Sequence, residues 1–348
     1  MQYPMSLKSC ALLLAALFGW TAVLSAADVA APEHKLNDYH LTADSLPQPG
    51  VPKGRLEGPF EFHSKVFAGT VRRYWIFVPA QYTPANPAAV LVFQDGQRAT
   101  FSGGELSVPQ ALENLVYKKE IPVTIGIFIT PGNLSEKYPD NLGLGNPNHR
   151  AEEYDAVNDN YARFLIEEML PEVEKKYRLT NDPENRAIGG TSSGAICAWT
   201  VAWERPDQFR KVISMIGSFT SIGYKPAHDG LPMTPGGDMY PTLIRKNPIK
   251  PIHVFLQDGT NDLSNLTDTK GFKPEWTALT NEHGNWHLAN EQMLDALEYA
   301  NVNADRHHAP GPRYDVNHVW GDGNHSDKHG GAILPDMLRW MWRDWAKK

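Results

Sequence analysis

The chain has 348 residues, a formal net charge of −7 and 41% hydrophobic residues. The acidic balance excludes nucleic acid as the main partner, because phosphate binding needs a basic surface. Of its two cysteines, Cys10 sits in an N-terminal apolar run, so the mature chain keeps Cys197 alone and an internal disulfide is excluded.

From the N-terminus, residues 1–9 carry Lys8 and no acid, residues 10–24 are almost wholly apolar, and Ser25-Ala26-Ala27 offers small residues where a signal peptidase cuts. Residues 1–27 therefore read as a signal peptide, since a membrane span needs about 20 apolar residues. Export to the periplasm or the extracellular space is expected, with no membrane contact after cleavage. Residues 28–53 are polar and proline-punctuated, an extended leader. Residues 54–348 are expected to form a single domain.

Two alternating runs, 60–67 and 71–78, joined by Ala68-Gly69-Thr70, predict an antiparallel hairpin at a sheet edge. Residues 89–93 form a continuous apolar run, as in a central strand covered on both faces. Strand-like and helix-like segments then alternate. Helices are expected at 109–117, 153–177, 195–204, 291–300 and 333–345, and strands at 123–129, 185–189, 212–216, 253–256 and 314–320. The helix over 153–177 carries Tyr161, Phe164, Leu165 and Met169 at helical spacing. Residues 131–150 read as a long loop, and 220–247 and 267–285 as surface insertions. The alternation predicts an α/β fold with a mostly parallel sheet, an antiparallel N-terminal hairpin and helices on both faces.

Gly190-x-Ser192-x-Gly194 follows the strand at 185–189 and precedes a helix, the context of a nucleophile elbow. A serine hydroxyl needs a histidine to take its proton and a carboxylate to orient that histidine. The α/β-hydrolase order is Ser, then Asp or Glu, then His. Asp262, a few residues past the strand at 253–256, is the first candidate acid. Asp258 is the alternative, and both also suit plain loop caps. His325 lies in a glycine-rich loop after the last strand and is the candidate base. His329 stands four residues on, a spacing that can bind metal, but no Glu lies between them in the zincin pattern. No metal and no cofactor is expected. The oxyanion hole needs two backbone N–H groups. Ser193 supplies one, and Gln97, after Asp95-Gly96, is chosen for the other, unless Asp95-Gly96 is only a turn.

The segments 92–96, 150–155, 187–194, 209–219, 254–263 and 324–342 together resemble the putative-esterase family of α/β-hydrolases. That family includes enterochelin esterases, feruloyl and acetyl-xylan esterases, S-formylglutathione hydrolases and mycolyltransferases. The resemblance implies an α/β-hydrolase fold with Ser192 as nucleophile, Asp262 as acid and His325 as base. It also implies Gln97 and Ser193 N–H groups in the oxyanion hole. Arg150, Tyr224 and Trp286 are candidate substrate-binding residues, although Arg150 and Glu153 suit a structural ion pair equally. The expected reaction is hydrolysis of an acyl or phenolic ester of a carbohydrate. Alternatives are a siderophore trilactone esterase, a sugar acyltransferase, and a non-catalytic binding member of the fold.

Overall fold

The computed structural model describes residues 35–264 and 282–345. The expected signal peptide, the first part of the leader and most of the 267–285 insertion lie outside the described residues. The β-branched and aromatic runs form β1 (Arg55–His63), β2 (Thr70–Val78), β3 (Ala89–Gln94), β4 (Thr124–Ile129), the two-residue β5 (Asn133–Leu134) and β6 (Arg186–Thr191). They continue as β7 (Lys211–Met215), β8 (His253–Asn261) and β9 (Asp315–Asn324). Strand order across the sheet is β1-β2-β4-β3-β6-β7-β8-β9, with β5 paired to β2. β1, β2 and β4 pair antiparallel, and every pair from β4 to β9 is parallel. The hairpin therefore occupies one edge, as its alternation predicts. All six residues of β3, β4 and β6 are buried.

Helices cover both faces. One layer packs Phe164 and Met169, Trp199 and Trp203, and Met293 and Leu297 on the sheet. The other packs Leu112 and Leu115 with Leu334, Met337 and Leu338. These side chains lie on α2 (Val108–Tyr117), α6 (Ser193–Glu204), Trp286–Arg306 and Asp327–Met341, and on the turns around 160–174.

Three expectations are corrected. The long helix over 153–177 is broken: Arg150–Tyr154 is a helix of its own, and winding resumes at Asn160–Arg163, Phe164–Met169 and Leu170–Glu174. The break is local, because the Asn158 side chain accepts the Asn160 N–H at 3.0 Å and starts a new turn there. The closing helix starts at Asp327 rather than 333, with Gly330, Gly331 and Pro335 inside it. Residues 220–247 are not all surface, since Tyr240 and Ile244 are fully buried.

The described part of the leader lies against the domain. Asn114 Nδ2 donates to the Asp44 and Leu46 carbonyls, each at 2.8 Å. Tyr39 donates to Asp322 Oδ1 at 2.7 Å and stacks on His329 with centroids 4.1 Å apart. Deeper in, Arg72 and Glu153 form an ion pair with both side chains at 0% exposure. Its bonds are Nη1–Oε2 at 2.8 Å and Nη2–Oε1 at 3.0 Å. Glu153 also accepts the Gly132 N–H at 3.1 Å and meets His149 Nδ1 at 3.0 Å, tying both ends of the 131–150 loop to β2. Breaking such a pair from one side strands the other charge at a cost of about 3–5 kcal/mol. Glu153→Ala is therefore expected to lose about that much unfolding free energy in urea, and a loss below about 1 kcal/mol would count against the pair's role.

Candidate active site

β6 runs into α6 through Ser192, whose φ of 57° and ψ of −123° are strained for a residue with a side chain. Packing imposes the strain. A Cβ on Gly190 would stand 2.6 Å from the Gly194 carbonyl carbon, and one on Gly194 would stand 3.0 Å from Gln94 Cβ. Ser192 N–H donates to the Met215 carbonyl at 3.0 Å, so the turn cannot relax away from β7.

Ser192 Oγ lies 2.9 Å from His325 Nε2, and His325 Nδ1 lies 2.6 Å from Asp262 Oδ1. The two loops that carry Asp262 and His325 leave adjacent strands at a point of backbone contact. A Cβ on Gly259 would come within 2.1 Å of the Gly323 carbonyl oxygen. Asp262 Oδ1 also accepts the Leu263 N–H at 2.6 Å. Asp258, the alternative acid, is buried beside it, accepting from Gly259 N–H at 2.8 Å and Asn290 Nδ2 at 3.0 Å. Asp258 also meets His287 Nδ1 at 3.4 Å. Burial raises both carboxyls, and the neighbouring Asp262 charge pushes Asp258 well above the carboxylate range. Burial lowers His325 to about 4 and raises Asp262 to about 7.

Of the other expected residues, Ser193, Arg150 and Trp286 line the cavity beside Ser192, and Tyr224 does not. Gln97 and Ser193 stand in the first turns of Gly96–Ala99 and Ser193–Glu204, where backbone N–H groups have no acceptor within the helix. Gln97 is buried, and its Nε2 donates to the Gly145 carbonyl at 3.3 Å. Arg150 does not pair with Glu153, which is turned inward to Arg72. It grips Asp95 instead, with Nε–Oδ1 at 3.0 Å and Nη2–Oδ2 at 2.8 Å, and Arg98 meets the same carboxylate at 2.6 Å. Burial opposes the Asp95 charge, but Arg150 and Arg98 hold its pKa down to about 2. Trp286 is 1% exposed, with its indole edge-on to His325 at 6.0 Å. Tyr224 is 50% exposed, two residues beyond Ile222. A cavity of about 320 Å³ opens beside Ser192, lined by Arg98, Arg150, Ile216, Ile222, Leu263 and Trp286 among others. His329 is engaged elsewhere, with Gln257 Nε2 at 2.9 Å from its Nδ1. Among the described residues no group of three or more His, Cys, Asp or Glu side chains is placed to hold a metal ion.

Sequence reasoning missed Ser218, whose Oγ lies 2.9 Å from Ser192 Oγ, and the double grip of Arg98 and Arg150 on Asp95. Neither has a fixed spacing in the chain. Only the pairing of β6 with β7, and the return of the 131–150 loop, brings them in.

The family described as "Putative esterase" matches residues 67–324. The chain belongs to this esterase family. Among curated proteins it is similar to Uncharacterized protein YbbA of Bacillus subtilis (strain 168), with 23% identity over 149 residues, 42% of this chain and 57% of that protein. Among solved structures it is similar to the enterobactin esterase FES from Shigella flexneri, with 17% identity and a TM-score of 0.58, over 87% of this chain and 62% of that one. It is also similar to the CE1 ferulic acid esterase AmCE1/Fae1A from Anaeromyces mucronatus, with 17% identity and a TM-score of 0.57, over 88% of this chain and 97% of that one. The chain thus spans less than two thirds of the length of the first two proteins. These likenesses make the fold that of the α/β-hydrolases.

A bond as short as the 2.6 Å between His325 Nδ1 and Asp262 strongly deshields its proton. The esterase is expected to show one far-downfield exchangeable proton resonance that disappears in Asp262→Ala. Wild-type spectra without it would count against the bond.

Proposed function

We propose that this protein is an exported serine carboxylic-ester hydrolase acting on acyl or phenolic esters of carbohydrates. One observation carries the reading: the continuous hydrogen-bonded line Asp262–His325–Ser192 beside a cavity, in a chain of an esterase family. In this reading His325 Nε2 takes the Ser192 proton as Oγ attacks the ester carbonyl, and Asp262 holds the imidazole by its Nδ1–H and stabilises the imidazolium. Charge developing on the carbonyl oxygen falls to the N–H groups of Gln97 and Ser193. His325 then protonates the leaving alcohol, and the acyl group remains on Ser192. A water, deprotonated by the same imidazole, releases the acid. No cofactor enters the cycle.

The cavity supports the substrate class through its mixed wall, with Ile222, Leu263 and Trp286 for an aromatic or acyl group and Arg98 and Arg150 for polar groups. The likeness to a ferulic acid esterase over 97% of that chain supports it too. A second reading, hydrolysis of a siderophore trilactone, is favoured by the two arginines. Guanidinium groups suit an electron-rich ring such as the dihydroxybenzoyl group in the FES complex. Export is proposed on the charged, apolar and small-residue pattern of residues 1–27.

A fluorophosphonate is expected to label the intact protein and not Ser192→Ala, with turnover of p-nitrophenyl acetate falling by about 10³-fold or more. An unlabelled wild type would sink the hydrolase reading in favour of a binding role. Methyl ferulate, acetylated xylan and enterobactin ranked by kcat/KM then decide the substrate, and enterobactin first would replace the carbohydrate ester.

The working form holds Asp262 ionised and His325 neutral, and a proton entering this unit belongs to the pair rather than to either residue. Burial raises one member to about 7 and lowers the other to about 4, so the first proton enters as pH falls through about 7. kcat/KM is expected to be constant above pH ~8 and to decline below pH ~7. A flat profile between pH ~5 and ~8 would contradict this assignment.

A further inference from the structure

Ser218 is fully buried in the turn after β7, within reach of the nucleophile. Its Oγ lies 2.9 Å from Ser192 Oγ and accepts the Trp286 indole N–H at 2.8 Å. Hydroxyl protons are free to rotate, but the two ends of this chain are not free to change roles. An indole N–H can only donate, and an ionised carboxylate can only accept. With Asp262 accepting from His325 Nδ1, the neutral imidazole presents Nε2 as an acceptor, so the Ser192 hydroxyl must donate to it. Ser192 Oγ is then left to accept, and Ser218, already accepting from Trp286, donates to it. Every proton from Trp286 to Asp262 points the same way.

The backbone around Ser218 is held as firmly as its hydroxyl. Ile216, β-branched, sits at a φ of 42°, a conformation such residues avoid. Strain of this kind persists only where the surroundings over-determine the chain. Here Ile216 N–H donates to the Gln257 carbonyl at 2.7 Å, and Ser218 N–H donates to the Ser192 carbonyl at 3.3 Å. Asn290 Nδ2 donates to the Gly217 carbonyl at 2.8 Å. A turn serving only to leave β7 needs neither the strain nor the three anchors.

We propose that Ser218, oriented by Trp286, is a positioning residue that aims the Ser192 hydroxyl at His325 and steadies the oxygen as its proton leaves. The proposal rests on the reading of Ser192 as nucleophile. Ser218 keeps its own proton throughout. Its bond to Ser192 Oγ strengthens as negative charge grows there and weakens once that oxygen is acylated, so the interaction favours the transition state over the resting and acylated forms. Trp286 acts through Ser218, which accepts its indole N–H at 2.8 Å.

The experiment uses the whole protein with a fluorophosphonate and p-nitrophenyl acetate, on wild type, Ser192→Ala, Ser218→Ala, Trp286→Phe and the Ser218→Ala/Trp286→Phe double variant. Ser218→Ala is expected to lower both the labelling rate and kcat by about 10-fold, the scale of one hydrogen bond, with KM within about twofold. Trp286→Phe, which leaves the Ser218 hydroxyl in place but unaimed, is expected to lower kcat by about threefold. The double variant is expected to be no slower than Ser218→Ala, since the two residues act as one unit. Wild-type labelling and kcat in Ser218→Ala, a loss confined to KM, or losses that multiply in the double variant would each overturn the proposal. Should Ser218→Ala fail to fold, an unchanged kcat in Trp286→Phe overturns it alone. A wild type that does not label, or a Ser192→Ala variant that labels equally, defeats the esterase reading and this proposal together. Wild-type labelling at Ser192 with a fast Ser218→Ala defeats only this one.

Discussion

The close approach of β6, α6 and β3 at Gly190, Gly194 and Gln94 is the contact on which the site depends. It forces Ser192 into a left-handed turn and lifts the side chain off the end of the sheet. A β-carbon at either glycine would push strand and helix apart, and the serine would relax into ordinary helix or strand. The fold applies the same device twice more, where Gly259 meets Gly323 and where Ile216 accepts strain beside Ser218. The site is assembled from turns that the core does not allow to move.

Parallel strands do the rest. β3, β6, β7, β8 and β9 point the same way, so Asp95, Ser192, Ser218, Asp262 and His325 all emerge at one edge of the sheet. This is the general reason open α/β sheets keep their chemistry at strand C-termini. Loops of very different length then deliver side chains to within hydrogen-bond distance of one another.

Several buried carboxyls share this end of the molecule, and their partners separate the roles of four of them. Glu153 is neutralised by Arg72 and holds a loop. Asp95 is gripped by Arg98 and Arg150 and stays ionised. Asp258 is raised by burial and by the Asp262 charge beside it, and Asp262 faces the imidazole. Residue type alone does not separate these four, and in the chain only its position past the strand puts Asp262 ahead of Asp258 as candidate acid. Their difference is one of neighbours: His325 and the Leu263 N–H on one, Asn290 and the Gly259 N–H on the other.

Where one local rule dominates, the chain was legible. Continuous apolar runs produced β3 and β4 within a residue, because burial on both faces leaves no other outcome for them. Glycine spacing marked Ser192, and chain order marked Asp262 and His325, because those signals are short-range and sterically compelled. The helix over 153–177 was misread, since periodicity does not reveal that Asn158 opens a new helix. Arg150 was offered the wrong carboxylate because its neighbour in sequence, Glu153, is claimed from 81 residues away by Arg72. The sequence by itself thus determined the candidate residues Ser192, Asp262 and His325 and the sheet that carries them. Only the tertiary structure decided which acid meets the histidine, which charges line the cavity, and that Ser218 and Trp286 stand behind Ser192. Those choices depend on strand neighbours and loop returns, and linear spacing carries no record of either.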